Sequence, residues 1–114
     1  MGTIALTTPS GGRPNIVSYS GDLRVIVGTF TFSSSYTTNG EAFDLAGSYG
    51  NLVRGTVVFV NFMPTTGGHL LVWDATNKKV KAYWSGTASA VLNEVTASTN
   101  LSTQGAIPFI AWVR

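Results

Sequence analysis

The residues that could do chemistry in this sequence are few and scattered. His69 is the single histidine, and the chain has no cysteine. A zinc site needs several protein ligands, usually histidines, cysteines and carboxylates, so any histidine-based site would have to rest on His69. A Ser-His-Asp triad would need His69 as well, and no Gly-x-Ser-x-Gly motif accompanies it. We therefore interpret His69 as a strand-end residue.

The carboxylates give no stronger indication of catalysis. The five are Asp22, Glu41, Asp44, Asp74 and Glu94. A glycoside hydrolase needs a pair facing each other across a cleft, and the closest pair, Glu41 and Asp44, falls in an irregular stretch. Asp74 suits a turn, and neither a calcium loop nor a phosphate-binding glycine loop is present. We expect a protein that is not an enzyme, with no catalytic residues, metal or cofactor. A small hydrolase built on His69 or on Glu41 and Asp44 is the weakest alternative.

Aromatic residues could form a platform for sugars or single-stranded nucleic acid. The candidates are Trp73, Tyr83, Trp84 and Trp112. Alternation along the strand predicted at 79–85 places Trp84 inward, on the side of Val80 and Ala82. The same alternation places Tyr83 outward beside Lys81. Tyr83 is therefore the platform residue on which a carbohydrate-binding alternative depends.

Composition limits the possible partners. Only 11% of the residues are charged, against roughly 25% in ordinary soluble domains, so Ser, Thr, Asn and Gly must cover much of the surface. The pI of 9.2 reflects a net charge of +2, and the single basic cluster, at 78–81, falls in an expected turn. We therefore expect no nucleic-acid partner and no small-molecule substrate. Neither a signal peptide nor an apolar run long enough to cross a bilayer is evident, so we expect a soluble protein with no membrane contact.

The sequence as a whole has the pattern of an all-β domain. Runs of β-branched and aromatic residues alternate with Gly, Asn, Ser and Thr turns. This predicts one antiparallel β-sandwich or jelly-roll-like domain over 15–114 and an extended N-terminal arm over 1–14. The predicted strands are a short strand at 15–19, a long strand at 23–33 bent at Gly28, a central strand at 55–62, a hairpin of 69–74 with 79–85, a short edge strand at 91–95 and a closing strand at 107–114.

Several of these segments together resemble a known class of proteins. They are TFTF at 29–32, SSYTTNGEAFDL at 34–45, LVWDATNKKVKAY at 71–83, the segment from 94 to 102 and the closing strand. With these spacings the chain resembles small structural proteins of tailed bacteriophages, especially capsid decoration or cement proteins. The resemblance covers roughly residues 22–114 and contains no catalytic signature.

The resemblance implies a protein that coats the outside of a phage head, commonly as a homotrimer, and braces neighbouring major capsid proteins. It would be assembled in the host cytoplasm and located on the virion surface. A carbohydrate-binding module or a tail-fibre, receptor-binding component is the alternative. We expect partner contacts in the arm at 1–14 and the loop at 34–51. The candidate contact residues are Thr7, Pro9, Arg13, Tyr36, Asn39, Glu41, Phe43 and Tyr49.

Overall fold

The structure, a computed structural model, describes residues 2–6, 16–18, 24–48, 56–63, 65, 67–85 and 91–114. The strands in these ranges are β1 (Thr3–Leu6), β2 (Ile16–Ser18), β3 (Arg24–Thr31), β4 (Glu41–Ala42), β5 (Val57–Phe62), β6 (Leu70–Asp74), β7 (Lys79–Trp84), β8 (Asn93–Glu94) and β9 (Ile107–Val113). A one-turn helix, α1 (Leu45–Ser48), follows β4, and a 3₁₀ turn (Ser102–Gln104) precedes β9. Two antiparallel sheets pack together, which confirms the all-β sandwich.

The first sheet is built around β3 and β9. These two strands pair from Arg24 with Val113 to Phe30 with Ile107. On the other side of β3, β1 and β2 follow one another along its length, and β5 lies on the far side of β9. The closing strand is therefore confirmed. The prediction that the strand at 55–62 is central is wrong, because among the described strands β5 pairs only with β9 and lies at an edge of this sheet.

The second sheet has the order β4-β7-β6, with β8 also pairing with β7. Its hairpin of β6 and β7 was predicted from sequence and is confirmed. The side chain of Asp74 organises the turn, since Oδ1 accepts the N–H groups of Thr76 and Asn77 at 3.0 and 3.1 Å. Hydrogen bonds from Asn77, more than the ion pair with Lys81, hold the pKa of Asp74 below its ordinary value.

The core lies between the two sheets and is rich in aromatic rings. Phe43 sits among Phe30, Phe62 and Phe109, with ring centroids 5.4, 5.3 and 5.1 Å away, all in edge-to-face geometry. Edge-to-face packing brings the positive ring edge against the negative ring face, which adds to the gain from burying the apolar area. Aliphatic residues of both sheets complete the core, among them Ile26 of β3 and Val80 of β7.

Gly28 is needed for close packing rather than for the bend that was predicted there. The β3–β9 register passes through Gly28 without a shift, so Ile26 and Phe30 share one face. A Cβ at Gly28 would lie 2.5 Å from the carbonyl oxygen of Ala5 and 2.9 Å from the ring of Phe109. The register shift is instead in β5, between Val57 and Phe59.

Gly28→Ala should consequently lower the free energy of unfolding by about 1–3 kcal/mol, because the added methyl group must displace either β1 or the Phe109 ring. Urea unfolding measures this change. Thr29→Val, at the next position of the same strand, is the control and should change stability by less than about 0.5 kcal/mol. Equal stability of Gly28→Ala and the parent protein would contradict the close approach.

The N-terminal segment differs from the predicted arm over the part that the structure describes. Residues 3–6 form β1, which pairs with Gly28–Thr31 of β3. Ile4 and Leu6 pack against the core. These residues therefore belong to the sheet. Burial of the alternate apolar side chains Ile4 and Leu6 stabilises this short edge strand. Residue 1 and residues 7–14 of the predicted arm lie outside the described ranges.

Candidate partner-binding surfaces

The predicted contact residues of the loop after β3 are mostly buried. Tyr36, Glu41 and Phe43 belong to the interior, whereas Asn39 is exposed. Burial removes the first three from the surface that a partner can reach, which corrects their assignment as contact residues. The remaining candidates, Thr7, Pro9, Arg13 and Tyr49, lie outside the described residues.

Tyr36 fixes the loop to the second sheet. Its hydroxyl donates a hydrogen bond to Glu94 Oε2 at 2.7 Å and accepts one from the backbone N–H of Ala82 at 3.1 Å. The backbone N–H of Asn39 donates to the same carboxylate oxygen, also at 2.7 Å. Burial is the main cause that raises the pKa of Tyr36 well above its ordinary value, and Glu94 adds to it.

Glu41 is a buried carboxylate whose oxygens are both satisfied. Oε1 accepts the backbone N–H of Ser33, and Oε2 accepts the Ser33 hydroxyl, each at 3.0 Å. Because Ser33 follows β3 and Glu41 lies in β4, the pair ties the first sheet to the second. Asp44 has a separate role, since its Oδ1 accepts the N–H of Gly47 in α1. In the closest pair of carboxylates in the sequence, Glu41 thus links the two sheets and Asp44 accepts a hydrogen bond from α1.

One exposed apolar surface lies on the outer face of the first sheet. We use "outer face" for the outward positions of its three neighbouring strands: Val25, Val27 and Thr29 of β3, Pro108, Ile110 and Trp112 of β9, and Phe59 and Asn61 of β5. Phe59 and Ile110 are 47% and 43% exposed. The rings of Phe59 and Trp112 stack at 5.7 Å with an interplanar angle of 27°. None of these outward residues carries a charge.

A second exposed aromatic group lies beside His69. Trp84 was predicted to point into the core, but it is 45% exposed, so this prediction is wrong. Val80 and Ala82 of the same strand are buried as predicted, and the core ends before the strand does. The indole of Trp84 stacks on the imidazole of His69 at 6.2 Å and 27°.

His69 immediately precedes β6, which confirms its place at a strand end. Its backbone N–H donates to Thr65 Oγ1 at 2.9 Å, and the same oxygen lies 3.4 Å from Nδ1. Tyr83, the predicted platform residue, is half-buried between Leu70 of β6 and Glu94 of β8. The exposed aromatic surface of this hairpin is therefore that of Trp84.

The described residues contain no cluster of three or more His, Asp or Glu side chains placed to hold a metal ion. Within the same ranges, no helix has the length and apolar character to span a membrane. Comparison with protein-family models, curated proteins and solved structures finds no match to this chain.

Proposed function

We propose that this protein is a structural protein of a tailed-bacteriophage head, a decoration or cement protein that binds the outside of the capsid. In this function it forms a homotrimer and braces neighbouring major capsid proteins on the virion surface. The resemblance of sequence motifs over roughly residues 22–114 to those of such proteins supports the proposal. The structural observation that carries it is the outer face of the first sheet, whose named residues carry no charge and which exposes Phe59 and Ile110.

An exposed apolar sheet face favours association with another protein. Large apolar patches are uncommon on monomeric proteins and often mark interaction sites, and the outer face exposes Phe59 and Ile110 next to the Trp112 ring. A chain with 11% charged residues has little electrostatic steering to offer a partner. Its binding therefore depends on apolar area, and many copies on one shell add their weak contacts through multivalency.

Phe59→Asp tests the proposal, because an aspartate would place a charge on the outer face next to the Trp112 ring. We expect the variant to fold, to lose the trimer in light scattering coupled to size-exclusion chromatography, and to cosediment with empty phage heads at least about tenfold more weakly. Val72→Asp is the matched control, since Val72 is equally exposed on the second sheet. The control should keep both properties.

Two results would contradict the proposal. One is a Phe59→Asp variant that remains trimeric and binds heads as the parent protein does. The other is a reconstruction of heads incubated with the parent protein that contains no additional density on the shell.

A further inference from the structure

The cleft beside Trp84 has the features of a small binding site. It is lined by Gly67, His69, Trp84, Val95, Thr96 and Thr99 and has a volume of about 210 Å³. Trp84 provides a flat aromatic wall, and His69 lies stacked against it. Thr96 and Thr99 are exposed residues and add hydroxyl groups to the cleft. The cleft thus combines one apolar wall with several hydrogen-bonding groups, the usual composition of a ligand site.

Hydrogen bonds hold the walls of this cleft in place. The His69 backbone is bonded to Thr65 Oγ1 at 2.9 Å, and the N–H of Gly67 donates to Gln104 Oε1 at 2.8 Å. The Thr99 hydroxyl donates to the carbonyl of Thr96 at 2.6 Å, which closes the turn that carries both threonines. A site whose walls are already ordered loses less entropy when a ligand binds.

We propose that this cleft binds one neutral sugar ring of a saccharide. The negative face of an indole attracts the polarised C–H groups on the apolar side of a pyranose, and the ring hydroxyls would pair with His69 and Thr96. Among the described residues that line the cleft, none is an acid, a lysine or an arginine, so these residues offer no fixed charge to select an anionic or cationic ligand. The volume is below the roughly 300 Å³ of sites for drug-sized molecules, which favours a single ring.

The sugar site is independent of the proposed assembly surface. The cleft is formed by residues just before β6, by Trp84 at the end of β7 and by the segment 95–99, whereas the outer face belongs to β3, β5 and β9. The protein would then bind the capsid through the outer face and bind a saccharide weakly through the cleft.

Titration of the ¹⁵N-labelled protein with glucose, galactose, mannose and N-acetylglucosamine tests this inference. At least one sugar should shift the Trp84 indole N–H resonance and the amides of Gly67, Thr96 and Thr99, with a Kd in the millimolar range. Trp84→Leu should raise this Kd by about tenfold or more, while Trp84→Phe should retain binding. Thr96→Val, which keeps the shape and removes the hydroxyl, should weaken it.

Val72→Asp, at a described position that does not line the cleft, is the control and should bind the sugar as the parent protein does. The fold of each variant is checked in the same amide spectra. The inference is overturned if none of the four sugars shifts the cleft resonances. It is also overturned if Trp84→Leu binds the sugar as well as the parent protein, because the sugar would then not stack on the indole.

Discussion

Phe43→Ala should lower the free energy of unfolding by about 3–5 kcal/mol, the range measured for removing a large buried aromatic ring. Phe43 is 1% exposed, and its ring contacts residues of β3, β5 and β9. It comes from the chain just after β4, so the same ring fills space between the two sheets. Alanine would leave a cavity at the centre of the aromatic cluster, where the surrounding rings can collapse only partly.

Urea unfolding followed by tryptophan fluorescence and by circular dichroism measures this loss. Leu70→Ala is a useful control, since Leu70 is half exposed on the second sheet and should cost less than about 1 kcal/mol. If the two substitutions destabilise the protein equally, Phe43 does not occupy the core position described above.

Tyr36→Phe should have the next largest effect, a loss of about 1–3 kcal/mol. The substitution keeps the ring and removes only the hydroxyl that accepts from Ala82 N–H and donates to Glu94. The N–H of Ala82 would then be left without its hydroxyl acceptor in a buried setting. Combining Tyr36→Phe with Glu94→Gln in a double-mutant cycle should give an effect smaller than the sum of the two. Strict additivity would contradict the bond.

The same tyrosine predicts a pH dependence. Because burial raises the pKa of Tyr36 in the folded protein, the folded state holds this proton more tightly than the unfolded chain, whose tyrosine pKa is about 10. The contribution to stability is therefore fully present below about pH 10 and is lost as the pH rises above it. Between about pH 9 and 11, the free energy of unfolding of Tyr36→Phe should fall less steeply with pH than that of the parent protein. Tyr83→Phe is the control. Identical slopes in the parent protein and Tyr36→Phe would contradict this reasoning.

Strand positions and one hairpin could be predicted from local pattern alone. The hairpin of β6 and β7 has a strong turn, with Asp74 placed to accept backbone N–H groups, between two runs of alternating residues. The closing strand was recognisable because Ile107, Phe109, Ala111 and Val113 repeat at every second position. The turn and the alternation both depend on residues that are close in sequence, so they can be recognised without knowledge of the fold.

The order of strands and the end of the core could not be predicted in this way. A strand that is apolar on both faces, such as β5, can be central or can lie at an edge beside an exposed apolar face, and alternation does not distinguish the two. Alternation along β7 places Trp84 on the same side as Val80 and Ala82, but alternation does not show where the opposing sheet ends. Glu41 is buried against Ser33, which follows β3 of the other sheet, so the alternation of residues in β4 does not reveal its burial.

The pairing of β3 with β9 also determines how the chain must fold. Val25 and Trp112 are partners although 87 positions separate them (112 − 25). Closing so large a loop carries an entropic penalty that must be met before the contacts form, and domains dominated by such distant contacts fold in milliseconds to seconds rather than microseconds. Until that ladder closes, β3 and β5 lack their shared neighbour. During that time the apolar strands stay exposed to other chains, so association between copies competes with folding.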